Sequence, residues 1–208
     1  MNLNKFFSEI VVINLEKRKD RREQVTEELQ KHLISAYIAT GYNGPDIFPC
    51  VDKKHAAQMG CMMSHLECIR YAKSKHLESI LILEDDVEFH PDLQLLFSEA
   101  IDELPKDWGL LYLGGNTNRD PKALVPVTDK ISKVNYLLCL HAYAVHRSAY
   151  DLILNYSEIS KNRIIDVVMV ELQPVIPTYK IEPSVAWQRA SYSDIEHRKV
   201  NYDFMKSV

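Results

Sequence analysis

The 208-residue chain has only four cysteines, Cys50, Cys61, Cys68 and Cys139, and no CxxC pair among them. So sparse a set excludes a dense disulfide framework, and reduced thiols are expected. There is no basic excess: the formal net charge is −4, which excludes a general nucleic-acid binder and leaves no nucleic acid among the expected partners. No stretch approaches the ~18 apolar residues of a membrane-spanning helix, so no transmembrane segment is expected. The opening segment MNLNKFFSEIVVINLEKRKDRR carries neither a long enough apolar core nor a small-residue cleavage site for a signal peptide. With the free thiols, this gives a cytoplasmic location as the expectation. Internal repeats and low-complexity tracts are lacking. So are a glycine-rich dinucleotide fingerprint and a phosphate loop ending in GK[ST], which disfavours nicotinamide and P-loop enzymes.

What is present is a core. Hydrophobic residues make up 46% of the chain, enough for a single domain over residues 1–208. EIVVINL (9–15) reads as a buried strand, and the charged segment 16–33 as a surface helix with Val25, Leu29 and Leu33 on a narrow stripe. AYIA (36–39) reads as a strand and GYNGPDIFP (41–49) as a loop. Residues 57–73 have helical periodicity, SILILE (79–84) is a strand, and Pro91 opens a helix. GLLYLGG (109–115) is another strand, 116–132 a long loop, and LHAYAVH (140–146) a further strand. Ser148 reads as the cap of the next helix, with Asp151 at the capping-box position, and Asp166 as the cap of a short helix over 166–172. Short strands near 178–181 and 185–188 follow.

Strands alternating with helices predict an α/β fold with a mostly parallel, Rossmann-like central sheet and helices on both faces. Ligands in such sheets sit beyond the carboxyl ends of the strands. That rule brings Glu84, Asp85 and Asp86, the segment Asn14–Arg22, and Gly114 with Gly115 to one edge.

The apolar run Ile80–Leu83 leads straight into those three acids. Two like charges ~4 Å apart cost about 4 kcal/mol at an effective dielectric of ~20. In a solvated loop water reduces that cost. A divalent cation removes it by supplying the opposite charge, and hard oxygen ligands suit Mg²⁺ or Mn²⁺, which also bind phosphate oxygens. Val87 and Phe89 behind the acids would hold them in place. Arginines after the first strand are a solvated helix face, or one or two of them reach a diphosphate. Cys61 and His65, four apart, share a helix face, but the sequence offers no clear further ligands for zinc, and Met62 and Met63 read as core. Asp166 can cap its helix and serve as a general base.

QMGCMMSHLECI (58–69) followed by LILEDDVEF (81–89) resembles glycosyltransferase family 25, the lipopolysaccharide-type and procollagen-type galactosyltransferases. VINLEKRKDRRE, WGLLYLGG, HAYAVHRSAYDLIL, IDVVM and SYSDIE match in the family's order. The resemblance implies a GT-A-like domain with a nucleotide-binding half over about 1–115 and an acceptor-side half over about 116–208. It implies a UDP-hexose donor, galactose or glucose, and an inverting transfer that uses Mn²⁺ or Mg²⁺. By this mapping Asp86 contacts the metal, with Glu84 touching metal-bound water or ribose. Asp194 or His197 completes the metal site. Asn14, Leu15, Arg21, His65, Asp85 and Gly114 fall on the nucleotide-sugar side, and Asp166 is the candidate base. A glycan, a lipopolysaccharide core or hydroxylysine in a collagen-like chain would be the acceptor. Two other classes fit the acidic strand end: a non-catalytic nucleotide-sugar or glycan-binding module, and a Mg²⁺-dependent phosphoryl-transfer or receiver-type domain, which would need a lysine and a hydroxyl at later strand ends.

Overall fold

The computed structural model describes residues 1–118, 120–160, 163–195 and 198–201. In chain order the elements are α1 (Leu3–Phe6), β1 (Glu9–Asn14), α2 (Lys19–Lys31), β2 (Tyr37–Thr40), α3 (Gly44–Ile47), α4 (Lys53–Ser74), β3 (Ser79–Glu84), β4 (Val87–Phe89), α5 (Leu93–Glu103) and β5 (Leu110–Tyr112). There follow β6 (Leu124–Pro126), β7 (Ile131–Val134), β8 (Ala142–His146), α6 (Tyr150–Ile159), α7 (Ile165–Leu172), β9 (Thr178–Ile181), β10 (Ala186–Gln188), β11 (Ser191–Ser193) and β12 (Arg198–Val200).

An eight-stranded sheet in the order β2-β1-β3-β8-β5-β9-β7-β6 forms the centre. β2, β1, β3, β5, β9 and β6 run one way; β8 and β7 run against them. The sheet is therefore mostly parallel in strand direction, as the alternation of strands and helices predicts. Its two faces are separated by the period-two alternation of side chains. Ile10 and Val12, Leu81 and Leu83, and Ala142 and Ala144 pack on one side with Val25 and Leu29 of α2 and Phe97 of α5. Val11, Ile80 and Ile82, and Tyr143 and Val145 pack on the other with Ile69 of α4, Ile153 of α6 and Met169 of α7. Among the described residues no helix is long and apolar enough to cross a membrane.

The chain leaves β1 through α2 to β2, then returns through α4 to β3 on the opposite side of β1. The two crossovers cover opposite faces, so β1 and β3 flank a topological switch point, where open α/β sheets bind ligands. Ile13 pairs with Glu84 at that end, and β8 begins beside it, with Ala142 opposite Leu83.

Several local readings are corrected. Leu33 is 88% exposed at φ 56, off the α2 stripe, because the helix has already ended at Lys31. The long loop after Gly115 contains β6 and the start of β7, short strands set by pairing, with β6 at the sheet edge and β7 between it and β9. Ala149, not Ser148, is the N-cap of α6; the Ser148 hydroxyl instead meets His146 Nδ1 at 2.8 Å. Asp166 is not a cap either: Ile164 holds that position and Asp166 lies in the first turn of α7. The segment 41–49 includes the single-turn α3, and Gly60 explains its seat, because a Cβ there would lie 2.5 Å from Gly44 N and from Tyr42 O.

Candidate active site

Beyond the ends of β1 and β3 lies a cleft of ≈ 350 Å³. Its walls come from the β1–α2 loop, α4, the β3–β4 turn, the segment before β8, the start of α7 and the β11–β12 hairpin. Leu15, Arg21, His65, Glu84, Asp85, Asp86, Asp166 and Asp194 all line it, so the topology gathers acids from three separate stretches of sequence.

The acids are not in open water. Asp85 and Asp86 form the turn between β3 and β4 and are each 6% exposed. Hydrophobic Val87 and Phe89 anchor the far side of the turn, and β4 pairs with β10. Arg21, reaching over from α2, supplies the countercharge: its Nη1 donates to Asp85 Oδ1 at 2.8 Å and lies 3.2 Å from Asp86 Oδ2. Asn14 Nδ2 donates to Asp85 Oδ2 at 2.7 Å and to the Arg18 carbonyl at 3.1 Å. Asp85 is thereby held on both oxygens by protein. Asp86 is not: its Oδ1 is buried and has no hydrogen-bond partner among the described residues. Burial, and then the neighbouring Glu84, push the Asp86 carboxyl up to about 7. A buried carboxylate oxygen without a donor calls for an explanation. A hard divalent cation is a fitting partner, with Asp86 and Glu84 as the oxygen donors on the cleft wall.

Glu84 ends β3, with Oε1 3.3 Å from His65 Nε2 and Oε2 accepting from Gln188 Nε2 at 3.5 Å. His65 is 1% exposed, and its Nδ1 meets the Tyr143 hydroxyl at 3.1 Å. Burial pushes the Glu84 carboxyl up, but the His65 hydrogen bond, together with the electrostatic pull of its surroundings including Arg21, outweighs it and holds the group below its usual range.

Asp166 enters from α7. Its Oδ1 accepts from the Cys139 backbone N–H at 3.0 Å, and burial followed by repulsion from Glu84 raises its pKa. A carboxylate with a raised pKa is a stronger base than a free one. Asp194 is paired with Arg18 and lies 3.5 Å from Lys17 Nζ. Arg18 and Arg21 also tie the hairpin to the body: Arg18 Nη1 donates to the Tyr192 carbonyl at 3.3 Å, and Arg21 Nη2 to Ser191 Oγ at 2.7 Å and the same carbonyl at 2.9 Å.

Two expected site residues fall elsewhere. Asn14 is 2% exposed and stands behind Asp85 instead of lining the cleft. Gly114 is likewise not a lining residue; a Cβ there would lie 1.9 Å from the Ala186 carbonyl, so its glycine answers to the close passage of the chain entering β10. His197 lies outside the described residues.

Residues 7–161 match the family model described as glycosyltransferase family 25 (LPS biosynthesis protein). The chain belongs to that family. This family 25 protein is 26% identical over 162 residues to procollagen galactosyltransferase 2 of Mus musculus, a match covering 67% of the chain and 26% of that relative. It is 25% identical over 129 residues to inactive glycosyltransferase 25 family member 3 of Homo sapiens, covering 52% of the chain and 22% of that relative. The family 25 chain thus spans about a quarter of the length of these curated relatives. Among solved structures, A197 from STIV superposes with a TM-score of 0.54 at 11% identity, covering 92% of this chain and 91% of that one, a likeness of fold alone.

The cleft of the family 25 protein also holds residues that sequence reasoning passed over. Gln188 reaches Glu84 from β10 and Cys139 and Leu140 precede β8, while Tyr143, buried in the sheet behind the cleft, fixes His65. Their partners lie far away in the chain, so no local spacing signals them. Arg18, read as part of a solvated face, is tied to Asp20 and Asp194, and these pairings raise its pKa.

Proposed function

We propose that this protein is a metal-assisted, inverting hexosyltransferase that moves galactose or glucose from a UDP-sugar to a hydroxyl of a glycan, lipopolysaccharide-core or collagen-like acceptor. The observation that carries this reading is that Asp86, whose buried Oδ1 has no hydrogen-bond partner among the described residues, lines the same cleft as Asp166. Asp86 and Glu84 would hold Mn²⁺ or Mg²⁺. Asp194 is a weaker candidate because Arg18 and Lys17 already neutralise it. When bound, the metal supplies positive charge to diphosphate oxygens as the sugar–phosphate bond breaks.

The chain's own residues perform the rest. Lys17, Arg18 and Arg21 bring three cationic side chains to the wall where a diphosphate would lie. Leu15, Ile13 and Tyr42 give that wall an apolar stretch suited to a nucleobase. Asp166 takes the proton of the acceptor hydroxyl while its oxygen attacks the anomeric carbon. The bond to the diphosphate breaks with its electron pair leaving on UDP, and a single displacement turns an α-linked donor into a β-linked product. The β11–β12 hairpin, held by Arg18 and Arg21, borders the cleft and limits water there. The phosphoryl-transfer alternative fits less well, since the cleft's lysine, Lys17, follows the first strand and not a later one.

The test is UDP release from UDP-galactose and UDP-glucose with Mn²⁺, with and without glycan and hydroxylysine acceptors, and NMR of the product anomer. Acceptor-stimulated release with a β-linked product is expected. An α-linked product would overturn the inverting mechanism. UDP binding with no release under any condition would leave a nucleotide-sugar-binding module, in line with the name of the human relative.

A further inference from the structure

The acidic turn is not the cleft's sole cluster of ligating groups. Cys61 and His65 project from successive turns of α4 toward the end of β3, where Glu84 stands. The Cys61 Sγ, a His65 ring nitrogen and a Glu84 carboxylate oxygen all lie within 4.8 Å of one another. All three residues line the cleft. Helical spacing alone pairs the cysteine with the histidine; the third donor comes from a strand, which is why the sequence offered no clear zinc ligand beyond that pair.

We propose that Cys61, His65 and Glu84 form a three-ligand site for a thiophilic divalent cation of the Zn²⁺ class, which shares Glu84 with the hard-cation donors at Asp86 but differs from them in its thiolate and imidazole. A thiolate, an imidazole and a carboxylate make up a donor set that selects zinc over manganese or magnesium. Three protein ligands leave a fourth position, which opens onto the cleft and takes water or an anionic oxygen of a cleft ligand. The surroundings support ligation. With Nε2 toward Glu84, His65 turns Nδ1 to the Tyr143 hydroxyl at 3.1 Å, the outer hydrogen bond that fixes tautomer and ring orientation in metal-bound histidines. Gln188 holds the other Glu84 oxygen. Binding displaces the Cys61 thiol proton to solvent, and no redox step is involved. The proposal stands independently of glycosyl transfer, because it concerns binding of the ion alone.

The experiment uses the full chain, stripped with chelator and kept reduced, titrated with Co²⁺ and then Zn²⁺. One equivalent of Co²⁺ should produce thiolate charge-transfer absorption and the visible bands of a four-coordinate ion, and Zn²⁺ should abolish both. Cys61→Ser should lose these bands, whereas Cys139→Ser and Cys50→Ser keep them. Tyr143→Phe should weaken Co²⁺ binding by about 10–100-fold with unchanged band positions, the signature of a positioning residue. In unmutated protein, Zn²⁺ at ~100 times its Kd leaves roughly one site in a hundred empty and should slow alkylation of Cys61 about 100-fold, read by peptide mass, while Cys50 reacts as before. This last arm needs no variant to fold. Absence of thiolate bands, their persistence in Cys61→Ser, or unprotected Cys61 at saturating Zn²⁺ would each overturn the proposal.

Discussion

Replacing Arg21 by methionine keeps much of the side chain's bulk and removes its charge. The guanidinium sits on an 11% exposed side chain, 2.8 Å from one oxygen of Asp85 and 3.2 Å from one of Asp86. Removing one partner of such a buried group typically costs ~3–5 kcal/mol, because the other charge stays behind in a poor solvent. Here two carboxylates are left, and Ser191 and Tyr192 lose a donor as well. For a chain of this size that corresponds to a fall in Tm of roughly 6–20 °C. The loss depends on pH. Burial already raises the Asp85 and Asp86 pKa values, and without Arg21 they rise further above the ordinary 3.8. The folded variant then binds protons that the unfolded chain does not, so its deficit is greatest above the raised values and shrinks as pH falls toward 3.8. Urea unfolding in chelator-containing buffer at pH 8 and pH 5.5 measures both effects, and Asp85→Asn in the Arg21→Met background should recover part of the loss. A deficit below about 1 kcal/mol at pH 8, or one that grows on acidification, would refute the account of Arg21 as the countercharge.

Other outcomes follow from the same contacts. Asp166→Asn should lower kcat by ~10²–10⁴ while UDP affinity by calorimetry stays within a few-fold; loss of UDP binding would give Asp166 a donor-side role. Burial lowers the pKa values of His32 and His141, outweighing Glu28 beside the first and the Ala186 carbonyl beside the second. Their neutral forms are favoured by folding, so stability is full above the ordinary 6.5 and declines as pH falls through it, by up to ~1.4 kcal/mol per pH unit for each histidine. Urea midpoints unchanged between pH 7.5 and 5.5, once the opposing carboxylates are accounted for with His32→Gln, would contradict this. Gly114→Ala drives a methyl to within 1.9 Å of a backbone carbonyl, a clash that should cost ~1–3 kcal/mol by thermal melt.

How much of this was legible in the sequence depends on how local each signal is. The strand 79–84 running into three acids could be read directly, since apolar run and charge lie side by side in the chain. So could the helix read over 57–73 around GCMMSH; in the structure it begins earlier, at Lys53, behind an Asp52 cap that accepts from the Lys54 and His55 N–H groups. Asp166 was placed at the correct edge but given the wrong local job, because a first-turn aspartate and a capping aspartate differ by one or two positions in sequence. The reversed directions of β8 and β7 leave no trace in side-chain alternation, which is the same for either direction. Arg21 was expected on the diphosphate side; that it also pairs with Asp85 and Asp86 is revealed only by the packing of α2 against the strand end. Gln188 and Tyr143 act across 104 and 78 residues of chain, beyond any spacing rule.

The most direct test of the central claim is calorimetry of UDP binding with Mn²⁺ and with chelator, on the unaltered protein and on Asp86→Asn. Binding that requires Mn²⁺ in the first and is lost in the second, with the variant still folded by circular dichroism, is the expected result. UDP affinity that is equal with and without Mn²⁺, or unchanged in Asp86→Asn, would contradict it.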